Sequence, residues 1–103
     1  MEENTLRQIK YHRERLDSLY SSYLEAKYEY RNGRTKKVRE HGLDNMFTYS
    51  KMIQDTLCNP PISEIVLNGN PYQFEDFWKY VESDMPSFLR KIDDVINESP
   101  TED

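Results

Sequence analysis

The sequence predicts an all-α fold with a long N-terminal helical hairpin, a short extended connector and a kinked C-terminal amphipathic helix. Three observations support this prediction. Residues 3–31 contain neither Gly nor Pro, apolar residues recur at helical spacing in three segments, and turn-forming residues separate those segments. Because 103 residues suit one domain, we expect a single helical domain over residues 1–97 and a disordered tail over residues 98–103.

The first predicted helix, residues 3–31, carries more apolar surface than one neighbouring helix can cover. Ile9, Leu16 and Tyr23 are spaced by seven residues, as in a helix that lies along another helix. The apolar side chains span roughly 200° of the helix circumference, whereas one packing neighbour needs a stripe of about 100°. We therefore expect the remainder to contact a protein partner or a second copy of the chain. The predicted interface residues are Ile9, Leu16, Leu19, Tyr20, Tyr23, Leu24 and Tyr28.

A turn and a second helix follow. Gly33 marks the end of the first helix, because glycine readily adopts the left-handed conformation that closes a last turn. Thr35 is placed to cap the second helix, predicted over residues 35–58, and Gly42 is expected to weaken it. Two prolines after Asn59 end this helix, since proline lacks a backbone donor and restricts the residue before it. The second helix is expected to fold back on the first.

The last part of the chain is predicted to contain one extended segment and one long helix. Residues 62–69 are short, rich in β-branched residues and end in Asn-Gly, which favours an extended connector. Residues 71–97 place their apolar side chains within roughly 120° of a helical wheel, so they predict an amphipathic helix. Pro86 lies inside this helix and predicts a kink or a recapped break.

The residues that common enzymes need are missing or dispersed. Cys58 is the only cysteine, which excludes an intramolecular disulfide and indicates a reducing compartment. His12 and His41 are the only histidines, and neither belongs to a metal-binding helix motif. His12 lies on the apolar stripe, where we expect a hydrogen-bonded interface histidine. We expect no catalytic residue, no metal and no cofactor.

Charge is unevenly distributed along this acidic chain, whose net charge is −5. Residues 31–42 carry five basic groups and one acidic group, and they fall at the tip of the predicted hairpin. This tip is a candidate site for phosphate groups or nucleic acid, although the acidic chain as a whole is atypical of nucleic-acid-binding domains. A solvated turn is the alternative. The candidate phosphate-binding residues are Arg31, Arg34, Lys36, Lys37 and Arg39.

The acidic C-terminal part indicates a second kind of contact. Residues 60–103 carry three basic and ten acidic groups, so one face of the last helix is a candidate for docking on a basic protein surface. Ordinary solubility is the plainer explanation. The candidate docking residues are Glu75, Asp76, Glu82, Asp84, Asp93 and Asp94.

These patterns together predict a non-enzymatic protein-interaction module, such as an adaptor, inhibitor or assembly factor, that binds itself or a larger protein. Phosphate or nucleic-acid binding through residues 31–41 is the alternative. No apolar run approaches the roughly 18 residues of a membrane span, and the polar N-terminus does not resemble a signal peptide. We therefore expect a cytoplasmic protein that contacts no membrane.

Overall fold

The computed structural model describes residues 2–67 and 74–98, except for the side chains of residues 74–81. These described residues form four helices and no strand, which confirms the predicted all-α fold. The molecule is elongated, with principal extents of 53 × 29 × 19 Å. The helices are α1, Glu3–Asn32; α2, Lys36–Leu57; α3, Ile62–Val66; and α4, Phe74–Glu98.

α1 is the central helix, because α2 packs along one side of it and α4 packs along another. Its buried residues are Ile9, Leu16, Leu19, Tyr23 and Ala26. Four of these five belong to the predicted partner-binding interface. That part of the prediction is wrong, because helices of the same chain cover the wide apolar arc of α1. Tyr20 is half-buried, whereas Leu24 and Tyr28 are exposed.

Close contacts, rather than a left-handed glycine, shape the turn between α1 and α2. Gly33 has φ −59° and ψ 139°, so the predicted left-handed conformation is wrong. Its backbone N–H donates to the carbonyl oxygen of Glu29 at 2.8 Å. A Cβ atom at this position would lie 2.6 Å from that oxygen and 2.8 Å from Cγ1 of Val38. Glycine is needed here because the turn leaves no room for a side chain.

The start of α2 follows the prediction, but its glycine has a different role. Oγ1 of Thr35 accepts a hydrogen bond from the N–H of Val38 at 3.1 Å, which caps the helix. Gly42 is buried inside α2. A Cβ atom there would lie 2.6 Å from the backbone nitrogen of Tyr30 and 2.8 Å from the carbonyl oxygen of Ala26. The glycine therefore lets α1 and α2 approach closely, which explains its place in a helix interior despite its low helix propensity.

The segment predicted as an extended connector, residues 62–69, begins with a helix instead. The N–H of Ser63 donates to the carbonyl oxygen of the residue four positions earlier at 3.0 Å, and Leu67 donates to Ser63 at 3.0 Å. Ile62, Val66 and Leu67 are buried, and Ile62 and Val66, which are four positions apart, lie on the same face of a helix. Burial on the neighbouring helices thus outweighs the strand preference of β-branched residues. The last two residues of the segment lie outside the described part of the chain.

α4 passes through Pro86 as one continuous helix, so the alternative of a recapped break is wrong and the kink stays a prediction. Met85, immediately before the proline, is fully buried. Glu98 is the last residue of α4 rather than the first residue of a disordered tail. The rest of the predicted tail, residues 99–103, and the predicted helix start at residues 71–73 lie outside the described residues.

Replacing Leu16 by Ala should lower the free energy of unfolding by about 2–5 kcal/mol, because the change removes a fully buried side chain and leaves a cavity. The same change at Leu24, whose side chain is exposed, should cost about 1 kcal/mol or less. Urea denaturation followed by circular dichroism measures both values. Equal losses at the two positions would contradict the assignment of Leu16 to the core.

Candidate functional site

Two residues of the predicted acidic docking face bind α1 of the same chain. Glu82 accepts a hydrogen bond from the Tyr23 hydroxyl at 3.3 Å and forms an ion pair with Lys27. Asp93 forms a two-point ion pair with Arg13, with N–O distances of 2.8 and 3.2 Å. Bidentate arginine–carboxylate geometry fixes orientation as well as position. Both carboxylates therefore hold α4 on α1, and each already has a partner within the chain, while their docking on another protein stays a prediction.

The remaining residues of the predicted docking face divide into two groups. Asp94 is exposed and Asp84 is half-buried. The side chains of Glu75 and Asp76 lie outside the described residues. Acidic docking stays a prediction for these four positions.

The contact between α1 and α4 also changes the acidity of two tyrosines. Burial, together with the nearby Glu82 carboxylate, raises the pKa of Tyr23 to about 12. The same two causes raise the pKa of Tyr20, whose hydroxyl donates to the backbone carbonyl of Glu82 at 3.3 Å. An ionised tyrosine here would place a second negative charge beside Glu82 in a poorly solvated position. The folded chain therefore favours the neutral hydroxyls.

We expect the free energy of unfolding to fall as the pH rises from about 10 to about 12. An unfolded tyrosine ionises near pH 10, whereas folded Tyr23 keeps its proton until about pH 12. The folded state thus binds more protons than the unfolded state within this window, so stability decreases with pH. The contribution of Tyr23 is present in full below the unfolded pKa and is lost as the pH passes the folded pKa.

Urea midpoints measured across this window would test the expectation. Tyr23→Phe should remove part of the pH dependence, and Tyr11→Phe, a matched change at an exposed tyrosine, should retain it. Parallel curves for the wild-type chain and both variants would show that Tyr23 is not the titrating group.

The five basic residues of the candidate phosphate site surround the turn between α1 and α2, and all five are exposed. Nη1 of Arg39 donates to the carbonyl oxygen of Gly33 at 2.9 Å. Lys36 lies 3.8 Å from Glu40 in a solvent-exposed pair, and pairs of this kind contribute about 0–1 kcal/mol. Within the described part of the chain, four of the five have no ion-pair partner. These are Arg31, Arg34, Lys37 and Arg39.

Large apolar side chains are exposed beside this basic turn. Leu24, Tyr28 and Arg31 are spaced by four and three residues, so they share one face of α1. Tyr30 and Val38 flank the turn on either side. The exposed fractions are 40% for Leu24, 69% for Tyr28, 42% for Tyr30 and 41% for Val38. We define the hairpin-end surface as these four apolar residues together with the five basic residues.

Tyr30 and Val38 were not among the predicted interface residues. Tyr30 continues the seven-residue spacing of the buried residues, which indicates burial rather than exposure. Both residues lie within five positions of Gly33. Proximity to a chain reversal is the sequence signal that identifies them, because the last turns of a hairpin have fewer packing neighbours than its middle.

Comparisons with protein-family models, curated proteins and solved structures gave no match. Function is therefore inferred from the surfaces of this chain. Among the described residues, no helix combines the length and the apolar character needed to cross a bilayer. The same residues contain no group of three or more His, Cys, Asp or Glu side chains placed to hold a metal ion.

A cleft of 240 Å³ lies at the other end of the hairpin, between the N-terminal half of α1 and the C-terminal end of α2. His12 contributes to its wall. Nδ1 of this residue is buried and has no hydrogen-bond partner among the described residues, so the predicted hydrogen bond of an interface histidine is not made by this atom within the chain. The cleft also involves Arg15, Met52, Asp55, Thr56, Asn59 and Pro60.

Proposed function

We propose that this protein is a non-enzymatic interaction module that binds a protein partner through the hairpin-end surface. The observation that carries the proposal is the exposure of Leu24 and Tyr28 on the face of α1 that also carries Arg31, with Tyr30 and Val38 exposed elsewhere around the same positively charged turn. Single exposed apolar residues are ordinary, but a group of them rimmed by polar residues is typical of a contact site.

The composition of the hairpin-end surface supports this function. Tyr and Arg supply a disproportionate share of contact energy at protein interfaces, because each combines a large contact area with hydrogen-bonding groups. The surface contains two exposed tyrosines, Tyr28 and Tyr30, and three exposed arginines. The lysines add charge at the turn, where solvent-exposed groups act more on the association rate than on affinity.

The geometry of the turn supports it as well. The Thr35 cap, the hydrogen bond from Arg39 to Gly33 and the close helix approach at Gly42 hold the hairpin end in one arrangement. A surface that is already ordered loses less conformational entropy on binding than a flexible one. An ordered surface therefore favours specific binding of one partner over nonspecific binding.

The charge of the surface defines the chemistry of that partner. Residues 31–42 carry a net charge of +4 on a chain whose total is −5. Complementary potentials speed the encounter of two proteins, whereas like charges oppose it. We therefore expect a partner that presents acidic groups around an apolar patch.

Changing both Leu24 and Tyr28 to Ser should weaken partner binding at least about tenfold, because interface side chains of this size contribute about 1–2 kcal/mol or more each. The wild-type and double-variant chains are immobilised and used to capture proteins from extracts of the native host. A protein captured by the wild-type chain alone is then purified, and its Kd is measured against both chains.

Tyr11→Ser is the matched control, since Tyr11 is an exposed tyrosine of α1 outside the hairpin-end surface. It should bind like the wild-type chain. Light scattering on the purified chain distinguishes a separate partner from a second copy. Equal Kd values for the wild-type chain and the double variant would contradict the proposal.

Phosphate or nucleic-acid binding through the same turn is the second candidate function. The observation that favours it is the proximity of five exposed cations to two exposed tyrosines. Single-stranded nucleic acids bind surfaces that pair cations along the backbone with aromatic rings on which bases stack.

Labelled single-stranded RNA and DNA should, under this second candidate, be retained at about 50 mM salt and released as salt rises. Arg34→Glu combined with Lys37→Glu should abolish retention. Lys51→Glu, a charge reversal at an exposed lysine elsewhere on α2, should reduce it far less. A wild-type chain that retains neither nucleic acid at low salt would exclude this candidate.

A further inference from the structure

We propose that the cleft between α1 and α2, at the end of the hairpin away from the turn, binds a free α-amino acid or another zwitterion of that size. The cleft measures 240 Å³, which lies below the range of about 300–1,000 Å³ for pockets that hold drug-sized ligands. Its ligand is therefore a small molecule rather than a nucleotide or a folded segment.

Two opposite charges face this cleft from different helices. Arg15 lines it from α1 and Asp55 lines it from α2. Neither side chain has an ion-pair partner among the described residues, and the two do not pair with each other. A simple anion would be attracted by Arg15 and repelled by Asp55, and a simple cation would meet the reverse. A ligand that carries both charges satisfies both side chains.

His12 also lines the cleft, three positions before Arg15 on the same face of α1. Its Nδ1 atom is buried without a hydrogen-bond partner among the described residues, so it is closed to a ligand in the cleft. The imidazole ring therefore serves as part of the wall, next to the guanidinium group that would bind the carboxylate.

The C-terminal end of α2 favours the ammonium group of the ligand. Helix C-termini carry partial negative charge, which stabilises nearby cations. The hydroxyl of Thr56 and the amide of Asn59 already donate to carbonyl oxygens of α2. These bonds use the donors of Thr56 and Asn59, so both side chains face the ligand as acceptors, and Asp55 adds the only negative charge among the residues that line the cleft.

Apolar atoms complete the wall and define the preferred side chain of the ligand. Met52 and Pro60 both line the cleft. Contact with them favours an amino acid with an apolar side chain over glycine, because each methylene group that leaves water adds to the binding free energy. We expect L-leucine and L-methionine to bind more tightly than glycine.

The cleft is separate from the hairpin-end surface. Arg15 and Tyr28 are 13 residues apart on α1, which corresponds to about 20 Å along the helix axis. Loss of partner binding at one end would therefore leave ligand binding at the other end unchanged, and the two proposals are tested separately.

Nuclear magnetic resonance titration of the full chain tests the site, with the His12 ring signals and the Thr56 amide as reporters. L-Leucine and L-methionine should shift these signals with a Kd of about 1 mM or tighter. N-acetyl-L-leucine, which lacks the ammonium group, and L-leucinamide, which lacks the carboxylate, should each bind at least about tenfold more weakly.

Variants then test whether Arg15 and Asp55 bind the carboxylate and the ammonium group of the ligand. Arg15→Gln and Asp55→Asn should each weaken L-leucine binding at least about tenfold, equivalent to about 1.4 kcal/mol. Arg90→Gln and Asp44→Asn, the same changes at exposed residues outside the cleft, should not alter it. Because all four side chains are exposed, circular dichroism should show the wild-type helix content in every variant.

Three results would overturn the proposal. The first is the absence of any shift at His12 and Thr56 with amino acids at about 10 mM, which would leave the cleft to water. The second is equal affinity for L-leucine and its two neutralised analogues. The third is unchanged affinity in both Arg15→Gln and Asp55→Asn.

Discussion

The burial of α1 between α2 and α4 is the interaction on which the rest of the structure depends. Apolar residues make up only 36% of the chain, so a core has to be assembled from few side chains. α1 supplies core side chains to two helix–helix contacts, because its wide apolar arc faces α2 on one side and α4 on the other. Gly42 permits the close approach on one side, and the carboxylates of Glu82 and Asp93 hold the other. α3 then packs against α2 and α4.

This arrangement places two chemically different surfaces at opposite ends of the α1–α2 hairpin. The turn between α1 and α2 concentrates positive charge and exposed apolar side chains, as at Arg34 and Tyr28. The opposite end of the same two helices carries a cleft with one charge of each sign, from Arg15 and Asp55. The buried middle keeps the two ends at a fixed distance. The two ligands that we propose would therefore not compete for the same side chains.

Much of the helical architecture was predictable, because periodicity and capping are local properties of the chain. The apolar spacing along α1 and the cap at Thr35 required no knowledge of tertiary structure. Periodicity identifies an apolar face but not the element that covers it, so the sequence predicts a partner contact for Leu16 where the structure buries it in the core. The role of Gly42 depends on atoms of another helix, and the cleft joins residues as distant in sequence as His12 and Asp55. Neither the role of Gly42 nor the cleft can be recognised from a short stretch of sequence.

The two ion pairs between α1 and α4 also contribute to the resistance of this molecule to mechanical load. Arg13 pairs with Asp93 and Lys27 pairs with Glu82, so the two helices run antiparallel. Sliding one helix past the other by a single turn, about 5.4 Å, would break both pairs at once. Tension that pulls α1 and α4 along their axes is shared between two attachment points, whereas tension that peels α4 away from one end breaks them in succession. The α1–α4 pair therefore resists shear along the helix axes better than it resists peeling from one end.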